Sequence, residues 1–202
     1  MTGSTAFCFD LDGTVTTAEV LPIIASEVGL TEEIKFLTDM TIKGQIPFEM
    51  SFRLRCAVLA RIDVATVAEI VATVPIAYEL TRFLADNSER CFIVTGNLDV
   101  WVCRLIEQLG CQFYSSKAEI LSNGQLGRVT KILRKSDAIR QIRSRFERIV
   151  CIGEGYNDLP MFEEADIGVA YAGVHHPARE LIDISDYVAG NAEALCRLLR
   201  TL

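Results

Sequence analysis

The stretch Ala6-Phe7-Cys8-Phe9-Asp10-Leu11-Asp12-Gly13-Thr14 decides the reading: a short apolar run that stops on two aspartates one residue apart. An unbroken apolar run, without polar alternation, suits a strand covered on both faces, and Gly13 permits the turn out of it. At a frayed strand end, Asp10 and Asp12 can both face one site. Outward from this point, similar runs recur at Arg90–Val94, Gln112–Tyr114, Arg148–Ile152 and Ile167–Ala170, with helical patterns between most of them. The alternation predicts βαβ units and an α/β fold with a doubly wound, Rossmann-like parallel sheet.

The interval from Val15 to Asn87 contains no convincing strand. Within it Glu19–Val28, Glu32–Lys43, Phe48–Leu59, Val64–Val74 and Ala77–Leu84 each carry apolar residues at helical spacing. That is too much chain for one crossover helix. It predicts a helical cap at residues 16–75 inserted after strand one, on a core domain made of 1–15 and 76–202. Gly44 and Pro47 punctuate the insertion and Pro75 marks its return. Asn123-Gly124, flanked by apolar residues, signals a hairpin, and Pro177 to Leu202 reads as helix, short strand at Tyr187 and Val188, then helix.

Half of the 202 residues are hydrophobic, enough for a substantial core. Twenty basic against 27 acidic residues give a net charge of −7, and no Lys/Arg run exceeds two residues, which argues against a nucleic-acid partner. The seven cysteines form no Cys-x-x-Cys pair and have no histidine at metal-ligand spacing, so they read as buried small hydrophobes in a reducing compartment. The polar lead Met1 to Thr5 lacks a signal peptide's basic flank and apolar region, and no window reaches the roughly 18 apolar residues of a membrane span. The expectation is a cytoplasmic monomer or homodimer with no membrane partner.

Ligands of an open α/β sheet bind beyond the carboxyl ends of its strands. The residues there are Asp10 to Thr14, then Thr95-Gly96-Asn97, then Lys135-Ser136 before a later helix, and Gly153-Glu154-Gly155-Tyr156-Asn157-Asp158. Asp10, Asp12, Glu154 and Asp158 would repel one another unless a hard divalent cation sits among them. An all-oxygen donor set favours Mg2+. Asp10 beside a metal-clamped phosphate is a competent nucleophile for an aspartyl phosphate, and Asp12 is placed as the general acid and base. Thr95, the Gly96 amide and Lys135 supply donors and positive charge around the phosphoryl oxygens. His175 and His176 precede Pro177 and read as a solvated loop, since adjacent histidines diverge in most backbones.

With these residues in place the chain resembles the haloacid dehalogenase (HAD) superfamily, and within it the phosphoserine-phosphatase-like branch. FDLDGT looks like the first motif, IVTGN the second, the lysine of RKSD the third and GEGYND, with Asn157, the fourth. The resemblance implies the HAD fold with a helical cap and a magnesium-dependent phosphomonoesterase acting on a small phosphorylated metabolite, O-phosphoserine first. Another amino or hydroxy acid phosphate, a sugar phosphate, transfer to another acceptor, or non-catalytic phospho-ligand binding are the alternatives. It further implies that Glu19 faces a substrate amine and that, in FEMSFRLR (Phe48 to Arg55), Arg55 binds its carboxylate beside Phe48. Three positions depart from the pattern: Glu154 stands for the usual aspartate, Gly13 for a serine common in that branch, and Asn97 for a second glycine.

Overall fold

In the computed structural model, which describes residues 4–202, β1 (Thr5–Phe9) is buried along its whole length. Met1 to Gly3 of the polar lead lie outside the described residues. β1 is followed by α1 (Val20–Ser26), α2 (Thr31–Ile42), α3 (Phe48–Leu59), α4 (Val64–Ala72) and α5 (Tyr78–Asp86) before the next strand, β2 (Cys91–Leu98). The remainder runs α6 (Asp99–Leu109), β3 (Gln112–Ile120), β4 (Leu126–Lys131), α7 (Lys135–Arg143), β5 (Arg148–Gly153), α8 (Leu159–Phe162), β6 (Ile167–Tyr171), α9 (Arg179–Asp183), β7 (Tyr187–Ala189) and α10 (Ala192–Leu199).

The sheet order is β4-β3-β2-β1-β5-β6-β7, parallel except for the β3–β4 hairpin. The hairpin closes through Gly124, whose φ of +84° suits glycine. β1 lies between β2 and β5, so its end meets the ends of both. Apolar side chains pack on both faces: Phe7, Phe9, Ile93 and Ile152 share one core with α5 and α6, while Cys8, Phe92, Val94 and Cys151 pack with α7 on the other. Parallel strands need this double cover, which is why their sequences do not alternate.

β2 runs further than the apolar pattern predicts. Its pairing with β3 is irregular after Val94 and resumes at Leu98 opposite Ser116, which holds Thr95, Gly96 and Asn97 inside the strand.

The helical segment between β1 and β2 leaves and returns to the sheet at one place. Thr16 pairs with Ile76, and the Thr17 N–H donates to the Pro75 carbonyl at 2.8 Å. α4 packs along α6, whereas α2 and α3 contribute the side chains that overhang the strand ends. No helix among the described residues is long and apolar enough to cross a membrane.

Candidate active site

The ends of β1, β2 and β5 open into a pocket roofed by α2 and α3. Its walls include Asp10, Asp12, Glu19, Phe48, Arg55, Gly96, Asn97, Glu154 and Asn157, and it holds about 490 Å³ of non-atom space, its open mouth included. One cavity therefore gathers nine of the twelve expected residues; Thr95, Lys135 and Asp158 lie behind its lining.

Asp10 follows the last residue of β1, and its own N–H donates to the Ile152 carbonyl of β5 at 2.9 Å. Lys135, the first residue of α7, is 4 % exposed and donates from Nζ to Asp10 Oδ1 and to Asp158 Oδ1, both at 2.5 Å. Burial opposes the lysine charge, but the two carboxylates outweigh it and hold the ammonium above its usual pKa. Burial and the Asp158 charge push Asp10 well up, and Lys135 opposes them.

Asp158, expected among the metal ligands, has protein donors on both oxygens. Its Oδ2 accepts from the Glu154 and Gly155 amides, each at 2.9 Å, while its Oδ1 holds Lys135. Fully buried and off the pocket wall, it anchors the turn after β5 and seats the lysine.

Asp12 is fixed through both oxygens. Oδ1 accepts from the Val20 N–H at 3.0 Å, at the start of α1, and Oδ2 accepts from Asn97 Nδ2 at 2.5 Å. Asn97 thus departs from the family's glycine and ties β2 to the expected proton shuttle. Burial first and then the Glu19 charge raise Asp12 to about 7, with the Val20 amide pulling down. A carboxyl near neutrality can donate and accept protons at the same pH.

Thr95 lies beneath this floor, fully buried, its Oγ1 accepting from the Asn97 N–H at 3.1 Å. Gly96 forms the wall instead. A side chain there would collide with the Phe48 ring, which rests on the bare backbone.

Glu154 is 2 % exposed, and among the described residues neither carboxylate oxygen has a hydrogen-bond partner of ordinary geometry, the nearby His175 backbone N–H giving it only a weak downward pull. Burial, then the Glu19, Asp10 and Asp158 charges, push it up to about 10. Such a buried acceptor without a full hydrogen bond calls for a cation. With Asp10 and Asp12 on the same wall, the donors are oxygens of hard character, which fit a divalent cation.

Two departures from the family pattern turn out to be one. Gly13 has φ +70°, and a Cβ there would collide with Glu154 Oε1. The longer acid at 154 occupies the volume that a side chain at 13 would fill.

His175 was expected in a solvated loop and is instead half-buried. Its Nε2 lies 3.2 Å from Glu19 Oε1 and 3.9 Å from Glu154 Oε1. Among the described residues, Glu19, Glu154 and His175 are the group whose ligand-type atoms gather within 4.8 Å of one another. Glu154 thus leans toward the Glu19 side of the pocket. His176 keeps to the expectation, exposed beside Pro177.

Arg55 is 4 % exposed and, among the described residues, has no carboxylate partner. It donates from Nε to the Ser51 carbonyl at 3.4 Å and from a terminal nitrogen to Thr38 Oγ1 at 2.9 Å. Burial lowers its pKa, opposed by Asp12 and Glu19.

The family model for haloacid dehalogenase-like hydrolase matches residues 7–163. The chain belongs to the haloacid dehalogenase-like hydrolases. The matched span of this hydrolase runs from β1 through α8 and so includes every segment that lines the pocket, while the His175 loop lies beyond it. Phosphoserine phosphatases of Archaeoglobus fulgidus and Methanocaldococcus jannaschii are each 28% identical over 81% of this chain, covering 51% and 83% of their own lengths. That of Streptomyces coelicolor is 33% identical over 80% of this chain and 42% of its own. The hydrolase thus spans about half the length of two of these relatives. Among solved structures, a phospho-aspartyl intermediate analogue of phosphoserine phosphatase matches the whole chain with a TM-score of 0.85 at 23% identity. A substrate-bound phosphoserine phosphatase complex matches with 0.84 at 22%. These share the fold.

Proposed function

We propose that the chain is a phosphomonoesterase that forms an aspartyl phosphate on Asp10 and takes O-phosphoserine as substrate. The observation that carries this reading is Arg55: a buried guanidinium with no carboxylate partner among the described residues, lining the same pocket as Asp10 and Asp12. A buried charge left unpaired is costly, and a ligand carboxylate or phosphate supplies the missing partner. Glu19, across the pocket, offers a carboxylate to an amine. The phosphoserine phosphatases among the relatives make a phosphorylated amino acid the natural occupant.

In this reading an Asp10 oxygen attacks the phosphorus while Lys135 holds its other oxygen and offsets the gathering negative charge. Asp12, held by Val20 and Asn97, gives its proton to the departing serine hydroxyl. It then takes one from the water that hydrolyses the aspartyl phosphate, splitting the reaction into two easier steps. Gly96 contributes its backbone, Asn157 lines the pocket beside it, and Phe48 covers the reacting centre. Asp10, Asp12 and Glu154 would hold Mg2+, which when bound supplies positive charge to the carboxylates and the phosphoryl oxygens. The free thiols, five of them buried, suit a cytoplasmic setting.

The test is phosphate release from a panel of phosphorylated metabolites with and without Mg2+, alongside Asp10→Asn. Turnover of O-phosphoserine that requires Mg2+ is expected, with a loss on the order of 10⁴-fold in the variant. Unchanged turnover in Asp10→Asn removes the mechanism.

A further inference from the structure

His175 lies in the loop between β6 and α9, beyond the span matched by the family model. The loop is fixed at both ends: the Ala172 N–H donates to the Ala189 carbonyl at 2.8 Å, and the Ala178 N–H to the Glu154 carbonyl at 2.9 Å. This tether carries the loop across the end of β5 and lays the imidazole against Glu19.

Glu19 has no other hold. It stands at the position before α1, where a carboxylate commonly caps the helix, yet its side chain makes no capping bond, and the third helical residue, Pro22, has no N–H to offer. Among the described residues, the imidazole is the sole hydrogen-bond partner of its carboxylate, on Oε1, and Oε2 remains without one on the pocket wall. Asp12 and Glu154 nearby repel the Glu19 charge, as their own raised pKa values register. The Arg55 charge attracts Glu19 from the other direction but makes no hydrogen bond to it, so the imidazole is what fixes the carboxylate's orientation.

We infer that His175 is a positioning residue for recognition of the substrate's amine: it clamps one oxygen of Glu19 so that the other faces the ammonium. The inference rests on the amino acid phosphate reading above. It places selectivity in a residue that touches neither the phosphoryl group nor, directly, the substrate. Its loss weakens ground-state binding of an amine-bearing ester and leaves the chemical step alone.

The experiment compares O-phosphoserine with the phosphate ester of 3-hydroxypropanoate, which keeps the carboxylate and phosphate and lacks the amine. Both are measured on the wild type, His175→Ala, His175→Gln and Glu19→Gln. His175→Ala is expected to raise KM for O-phosphoserine about tenfold, the scale of one hydrogen bond to a charged group, with kcat within about twofold. KM for the amine-free ester stays put, and His175→Gln, which keeps a donor, recovers most of the loss. Equal KM increases on both esters, or a kcat loss shared by both, would mean a merely structural role and overturn the inference. An unchanged KM for O-phosphoserine overturns it too. So does a fall, since the imidazole would then be competing with the ammonium for Glu19. If Glu19→Gln shows the selective loss and His175→Ala does not, only this inference fails. If the wild type treats the two esters alike and Glu19→Gln changes neither, the amino acid reading fails and takes the inference with it.

Discussion

The two sides of the pocket differ in how completely the protein satisfies its own charges. On the sheet side, Lys135 bridges Asp10 and Asp158, and every oxygen of Asp158 has a donor. On the helical side, among the described residues, Arg55 has no anion and Glu19 has one oxygen held and one free, while Glu154, at the sheet end, is the one acid there left for a cation. Neutral or paired groups can be packed before any ligand arrives, whereas unpaired buried charge persists only where a ligand will complete it. The saturated side is built for the chemistry and the unsaturated side for recognition.

The contrast breaks first at Lys135. Lys135→Met leaves two buried carboxylates without their cation, so a loss of about 3–5 kcal/mol in denaturant unfolding is expected, along with turnover down on the order of 10³-fold. Stability within about 1 kcal/mol of wild type would show that the sheet side is not held by this charge. Arg55→Ala should leave the fold intact and raise KM for a carboxylate-bearing ester roughly 10–100-fold, the range for a hydrogen-bonded charge, and steady-state kinetics would read it. An equal loss on an ester without a carboxylate would move Arg55 to the phosphate.

Smaller still is the coupling between Gly13 and Glu154. Gly13→Ala forces a Cβ into the glutamate, and turnover should fall about tenfold; Glu154→Asp in the same chain shortens the acid and should recover part of that loss. Strictly additive effects in the double-mutant cycle would mean that the two positions are independent.

The mildest test is pH. Asp12 and Glu154 have folded-state pKa values raised to about 7 and about 10. Their contribution to stability is therefore full below the ordinary carboxylate range and is lost as pH rises through those values. In metal-free protein, the Tm of Glu154→Gln should exceed that of wild type by a margin that widens toward alkaline pH. Mg2+ should narrow the margin by stabilising the wild type. A margin independent of pH would contradict the raised Glu154.

The sheet and the main residues of the site could be read from sequence because apolar runs mark buried parallel strands and the polar residues after them mark the site. What escaped was how individual atoms are spent. Asp158 carries the same carboxylate as the other acids, and only the fold shows two backbone amides and a lysine already holding it. The departures at Gly13 and Glu154 were both visible, but their shared volume is a through-space fact. His175 had a usable signal: it follows the run Ile167–Ala170, and the rule that polar residues past a strand end line the site applies there too. The end of β2 was misjudged because Thr95 to Asn97 look like a turn and are kept in the strand by pairing at Leu98.

The pairing of Thr16 with Ile76, where the helical segment joins the sheet, also bears on how the pocket is covered. Two crossings bound together at one point fix where the overhanging helices start and end above the strand ends. A second attachment, of α4 along α6 and of Arg61 and Val64 to the β3–β4 hairpin, holds the far end of the insertion against the sheet part. The bare backbone at Gly96 lets the Phe48 ring seal the chamber without interlocking side chains.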